Sequence, residues 1–214
     1  SNVQVTEIFH SIQGESTYAG LACVFVRLTG CNLRCTWCDT EYSFYGGEKM
    51  TLDQVLEKIR SYGERLVEVT GGEPLLQKEV YPLMERLLGE GYRVLLETSG
   101  ERSIAQVPRE VVKIVDVKCP DSGAAGTFDL TNLDHLAPHD QVKFVIATRR
   151  DYEFARDFTR RHELPRRVAA VLFSPVHNRV DLPALASWIL EDRLEVRFGY
   201  QLHKLIWGPD AKGV

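Results

Sequence analysis

Cys31-Asn32-Leu33-Arg34-Cys35-Thr36-Trp37-Cys38 places three cysteines in eight residues, and the next histidine along the chain is His135. Three thiolates on one short stretch form a metal-ligand set with no obvious fourth member. A structural zinc site is ordinarily closed by four ligands, whereas a catalytic metal site keeps a position open. Cubane iron–sulfur clusters ordinarily take four cysteines, so three leave one iron able to bind something small. The stretch follows an apolar run that ends at Leu28-Thr29-Gly30, so the cysteines sit where a strand gives way to a loop. Such strand ends are where α/β proteins build their sites.

Working outward, short apolar, β-branched runs recur at 3–9, 22–28, 66–69, 92–96, 111–117, 142–146, 168–173 and 195–198. Several are nearly continuous in apolar character, as expected of strands covered on both faces. Helical patterns lie between some of them. Thr51-Leu52-Asp53-Gln54 is a capping box opening a helix over 52–61. Residues 76–88 have helical periodicity, with Pro82 kinking the helix or marking its first turn. Helices over 151–162 and 182–190 complete the set, the latter with Pro183 near its start.

This alternation predicts an α/β domain with a parallel sheet, but the alternation is incomplete. The segment 99–110 is short and interrupted by Pro108, and 120–140 is a long loop rich in Gly, Asp, Asn and Pro. Long loops in compact domains are often functional. With no internal repeat or linker, one domain over 1–214 is expected. Ser1-Asn2 is set aside as a tag-cleavage scar and 205–214 as a C-terminal tail.

A formal charge of −4 gives no electrostatic footprint for nucleic acid. The arginine pairs at 149–150, 160–161 and 166–167 are read as solvated helix faces. No apolar stretch approaches the length of a membrane span and no secretory leader is visible. Five cysteines, three of them crowded together, make a poor disulfide framework, so a reducing cytoplasm and metal binding are expected. Cys23, inside an apolar run, and Cys119, between a strand and Pro120, read as buried packing residues.

Other strand ends carry polar turns. Val69-Thr70-Gly71-Gly72-Glu73-Pro74 has glycines that let backbone approach a ligand closely, although a plain strand-to-helix turn also explains it. Glu97-Thr98-Ser99-Gly100, Asp116-Val117-Lys118 and Ser174-Pro175-Val176-His177 are further candidates, and polar residues also collect at strand termini for structural reasons. Trp37 can shield the cysteine stretch or stack on a ligand, its aromatic face serving both.

The C-x3-C-x2-C spacing, followed one strand–helix unit later by Gly71-Gly72-Glu73-Pro74, resembles the radical S-adenosylmethionine (SAM) superfamily. The resemblance implies a partial, trimmed (β/α) TIM-like barrel. It implies a 4Fe–4S cluster on Cys31, Cys35 and Cys38 whose open iron chelates SAM. Gly71, Gly72 and Glu73 would receive SAM's amino group, Trp37, Cys38 and Asp39 would lie beside it, and Glu97, Ser99, Lys118, Ser174 and His177 would line its ribose and carboxylate.

Ile12-Gln13-Gly14-Glu15-Ser16, Arg27, Asp39-Thr40 and Gln201-Leu202-His203-Lys204, in that order, closely resemble the 7-carboxy-7-deazaguanine synthase family. That implies conversion of 6-carboxy-5,6,7,8-tetrahydropterin to 7-carboxy-7-deazaguanine with loss of ammonia. Ile12, Gln13, Gly14, Glu15, Arg27, Thr70 and His203 would face the substrate. Glu15 can only accept hydrogen bonds and Gln13 can do both, which suits a pterin edge; Arg27 can fork onto a carboxylate. Thr40 would hold Mg²⁺ with help from the substrate carboxylate, because one hydroxyl is a poor site alone. A flavodoxin- or ferredoxin-like electron donor and a homodimer are also implied. Two rivals share the cysteine signal: an activase for glycyl-radical enzymes, and a zinc-stabilised interaction module.

Overall fold

The computed structural model describes residues 1–30 and 46–214, so Cys31, Cys35, Trp37, Cys38, Asp39 and Thr40 lie outside the described residues. In chain order the elements are β1 (Asn2–Ile12), β2 (Ala22–Leu28), β3 (Glu48–Thr51), α1 (Leu52–Arg60), β4 (Leu66–Gly71), α2 (Val80–Gly89), β5 (Arg93–Thr98) and β6 (Val112–Asp116). Then follow β7 (Gln141–Ile146), α3 (Arg149–Arg161), α4 (Leu164–Arg167), β8 (Ala170–Pro175), α5 (Leu182–Asp192), β9 (Arg197–Phe198) and α6 (Leu202–Trp207).

The described strands form one nine-stranded sheet in the order β3-β1-β2-β4-β5-β6-β7-β8-β9. From β2 to β9 every neighbour pair is parallel. β1 runs antiparallel to both β2 and β3. The sheet does not close: β3 and β9 are its two edges. It is the expected partial barrel, with one departure from an all-parallel sheet. The chain returns from β1 to β2 through the short turn at 13–21, too short for the helical crossover that a parallel pair needs. Asn2 belongs to this ladder, opposite Thr51.

Local signals place the helices. The capping box forms, with Thr51 Oγ1 accepting from Gln54 N at 3.1 Å and Gln54 Oε1 from Thr51 N at 2.9 Å. Pro82 lies in the first turn of α2, where its missing N–H leaves no broken bond. Between β5 and β6, and between β6 and β7, the described residues contain no α-helix. Fully buried Asn132 does the joining instead: it accepts from Ile104 N and donates to the carbonyls of Gly100 and Arg102.

Period-two alternation divides the sheet into two faces. On β4, Val67 and Val69 point outward and pack with Val55, Leu56 and Ile59 of α1 and Leu83, Met84 and Leu87 of α2. A second outer cluster sets Phe144 and Phe173 against Tyr152 of α3 and Leu185 of α5. Burying each such side chain stabilises by about 1.5–3 kcal/mol. The opposite face of the sheet turns inward. There Cys23, Phe25, Leu66, Leu95, Val112 and Ile114 form an apolar plug toward the strand N-termini. Above that plug the same inward register presents polar side chains.

The two isolated cysteines pack as expected: Cys23 is in the inner plug and Cys119 in the second outer cluster, both buried. Burial raises both thiols. Among the described residues no helix is long and apolar enough to cross a membrane.

Candidate functional site

A cavity of about 670 Å³ opens at the C-terminal ends of the parallel strands. Its wall is assembled in strand order. Ile12 ends β1, and Gln13, Gly14 and Glu15 follow it into the opening. Arg27 comes from β2, Thr70 and Gly71 from β4 with Gly72 and Glu73 after them, and Glu97 from β5 with Ser99 after it. Lys118 follows β6, Ser174 ends β8 beside exposed His177, and His203 enters from α6. Every candidate of the sequence analysis that lies among the described residues therefore meets here. Gly30, where the cysteine stretch departs, is tied to the same rim by a 2.7 Å bond from Glu73 N to its carbonyl.

The floor of the cavity is charged. Lys143, on β7 and 6% exposed, donates to Glu97 Oε1 at 2.7 Å and to Glu15 Oε2 at 3.1 Å. Gln201 Nε2 donates to Glu15 Oε1 at 2.6 Å, and Gln13 Nε2 donates to Glu68 Oε1 at 3.0 Å. Burial alone would raise Glu97, but the Lys143 ammonium and hydrogen bonds from Glu68 and Lys143 hold it down at about 2. Burial opposes charge on Lys143 too, yet Glu15 and Glu97 push its pKa well above the ordinary value. Glu15 is thus oriented by an ammonium and an amide, with acceptor capacity left toward the cavity.

On the β4–β5 side Glu73 acts as a clasp. Its carboxylate accepts from Leu75 N at 3.0 Å, Thr98 Oγ1 at 2.9 Å, Ser99 N at 2.8 Å and Ser99 Oγ at 2.9 Å. Glu73 is 1% exposed, so this carboxylate orders the two strand ends, and the backbone of Gly71 and Gly72 lies along the wall. Asp116 Oδ2 receives Lys118 Nζ at 2.9 Å, while its buried Oδ1 has no hydrogen-bond partner among the described residues. A buried acceptor of this kind calls for a donor. Across the opening, Arg27 pairs with Glu7 at 3.3 Å and donates to Gly71 O at 3.1 Å.

The last wall comes from the C-terminus. Leu202 N donates to Gly14 O at 2.8 Å, which brings His203 over Gly14. A Cβ on Gly14 would lie 2.0 Å from His203 Nδ1 and 2.9 Å from His203 N, so only glycine lets these backbones meet. Residues 209–214 also line the cavity, which settles the course of the tail: it turns back over the opening. The tail begins later than expected, since Leu205 to Trp207 belong to α6. Gly14→Ala is expected to lower stability by about 1–3 kcal/mol through overpacking and to speed proteolysis of the C-terminal segment. Urea unfolding checks it, and an unchanged midpoint would refute the packing argument.

Sequence reasoning missed Glu68 and Lys143 and gave Gln201 no contact. The signal was there: each charged residue interrupts an otherwise apolar strand run, two positions from Thr70 or Val145 on the inward face.

Comparisons with known proteins place the chain's sequence and fold. The model of the Radical SAM superfamily matches residues 25–160. A 7-carboxy-7-deazaguanine synthase of Koribacter versatilis is 56% identical, covering 99% of this chain and 100% of that protein. Enzymes of the same name from Chlorobaculum tepidum and Thermoplasma acidophilum are 40% and 39% identical, covering 99% and 98% of this chain and 97% and 99% of theirs. The crystal structure of QueE from Escherichia coli superposes with a TM-score of 0.79 at 21% identity, covering 94% of this chain and 95% of that one. At that identity the likeness speaks for the fold alone.

Proposed function

The chain belongs to the 7-carboxy-7-deazaguanine synthase family of the radical SAM superfamily, and from that footing we propose how its cavity serves the reaction. It is a radical SAM enzyme of 7-deazapurine biosynthesis. The substrate is 6-carboxy-5,6,7,8-tetrahydropterin, which leaves as 7-carboxy-7-deazaguanine after losing ammonia. The observation that carries this reading is the floor of the cavity, where Lys143 and Gln201 aim the Glu15 carboxylate and buried Gln13 holds the Glu15 backbone. A pterin edge offers the complementary set of amino and ring N–H donors beside a carbonyl.

The cluster belongs on Cys31, Cys35 and Cys38, and SAM along Gly71, Gly72, Ser99, Lys118, Ser174 and His177, with Trp37 and Asp39 beside it. The donor set fits that group. Asp116 Oδ1 lacks a donor that a ribose hydroxyl supplies, and Lys118 brings a cation for a carboxylate. When bound, cluster and SAM supply one-electron cleavage of a sulfonium and a carbon radical able to take hydrogen from an unactivated carbon. The protein's own residues do the rest. Ile12 and Gly14 offer backbone to the pterin, Arg27 meets the substrate carboxylate, and Thr70 and His203 flank the ring. Glu73 holds Ser99 still, and α6 with residues 209–214 limits water over the opening.

Thr40 is assigned to Mg²⁺, whose contribution is to hold and polarise the substrate carboxylate. Thr40→Ala is therefore expected to leave SAM binding intact and flatten the response of rate to added Mg²⁺; an unaltered Mg²⁺ titration counts against the assignment. A flavodoxin- or ferredoxin-like donor, a cytoplasmic location and a homodimer belong to the same reading. In support of the homodimer, α6 carries three exposed large apolar side chains, Leu205, Ile206 and Trp207.

The deciding experiment is anaerobic reconstitution followed by incubation with the carboxylated pterin, SAM and a strong reductant. A brown protein and a product lighter than the pterin by one ammonia are expected. A colourless protein holding stoichiometric zinc, or SAM cleavage that leaves the pterin unchanged, would overturn the proposal.

A further inference from the structure

We propose that Glu68 is a positioning residue for the pterin: it closes a ring of hydrogen bonds that fixes the 13–15 segment against the strands. The role rests on the substrate reading above and adds a member that touches the segment rather than the reacting atoms. Around the ring, Glu15 N donates to Gln13 Oε1 at 2.9 Å and Gln13 Nε2 to Glu68 Oε1 at 3.0 Å. Glu68 hydrogen-bonds Glu97, which receives Lys143 at 2.7 Å, and Lys143 returns to Glu15 at 3.1 Å. Three strands and the substrate-facing segment are thereby locked into one unit.

The ring closes only if Glu68 carries a proton. The one ammonium of the ring, Lys143, bonds Glu15 and Glu97, whereas Glu68 faces the Glu97 carboxyl and the Gln13 amide. Glu68 is 2% exposed, and two ionised carboxylates cannot hydrogen-bond each other. The remaining charged or titratable neighbours do not change this. Arg27 of β2 pairs with Glu7, and Lys118 pairs with Asp116 at the end of β6. Cys23 of β2 and Glu64 ahead of β4 bring no cation. Burial first, and the Glu97 charge second, push Glu68 well above the ordinary carboxylate range. The sign follows: the acid form persists at neutral pH, and raising the pH toward the elevated value removes the proton and opens the ring.

The test is equilibrium binding of the carboxylated tetrahydropterin to reconstituted enzyme without reductant, from neutral to alkaline pH, alongside KM and kcat. Glu68→Ala and the volume-conserving Glu68→Leu are expected to weaken binding and raise KM about tenfold, with kcat changed less and cluster absorbance retained. Glu68→Gln, whose amide can donate to Glu97 and accept from Gln13, should stay within about threefold of wild type. It should also abolish the alkaline weakening of binding that wild type shows. Wild-type-like binding by the Ala or Leu variant overturns the role, as does an alkaline limb retained in Glu68→Gln. If Ala and Leu do not fold, that pH comparison decides alone. A wild-type protein that neither binds nor turns over the pterin overturns the substrate reading, and this role with it.

Discussion

Lys143→Met is expected to reduce kcat/KM for the pterin at least a hundredfold and to destabilise the fold by about 3 kcal/mol. The ammonium is the cation that Glu15 and Glu97 share. Methionine keeps the aliphatic bulk and removes the charge, so two half-buried carboxylates lose the counter-charge they share. Three consequences follow from one change. Glu15 loses the contact that aims it, the Glu68 proton is drawn into a different partition, and Glu97 rises from about 2 toward or above the ordinary value of 4.5.

That last shift has a definite pH signature. A depressed carboxylate adds stability that is present above the ordinary carboxylate value and lost as pH falls through the folded one. In wild type the Glu97 share is lost between pH 4.5 and about 2. In Lys143→Met that share should already be missing at neutral pH, and acid unfolding should begin earlier. Steady-state kinetics and urea unfolding across acid pH measure both effects. A variant within threefold of wild type in kcat/KM, with unaltered acid unfolding, would show that Lys143 does not organise the floor.

Asp140→Ala is expected to cost about 3–5 kcal/mol of stability with no direct effect on the cavity. Asp140 is fully buried between β6 and β7 and accepts from Lys113 N at 2.8 Å and Ala137 N at 2.7 Å. It also pairs with Lys113 Nζ at 3.2 Å, and Lys113 is itself 2% exposed. Without the carboxylate, that ammonium keeps only the Val111 carbonyl at 3.4 Å and stays buried. The penalty is therefore dominated by an uncompensated charge rather than by a lost contact. Adding Lys113→Met to Asp140→Ala should recover part of the stability, since the stranded charge is gone. Denaturant midpoints of the two single variants and the pair form the cycle. A single-variant cost below about 1 kcal/mol would mean that water reaches Lys113.

Much of this protein is legible along the chain because the deciding signals are local. The capping box at Thr51, the turn position of Pro82 and the apolar strand runs depend on residues within one or two turns of each other. The helix-poor stretches at 99–110 and 120–140 do lack α-helices, as their proline and glycine content predicts. β3 and α6 escaped because each is short, and each is defined by a partner elsewhere: β3 by β1, and α6 by Gly14.

The sequence by itself determined the identity of the chemistry. Three cysteines at fixed spacing, a glycine-rich strand end and the 12–15 segment are each a short continuous stretch of chain, and their pattern does not depend on how the chain folds. Only the tertiary structure decided how the floor is charged. Glu15, Glu68, Glu97 and Lys143 come from four separate places in the chain, and nothing in their spacing says that one ammonium will serve Glu15 and Glu97 while Glu68 takes the Gln13 amide. Their protonation states follow from burial and mutual distance, and those quantities exist only once the strands lie side by side.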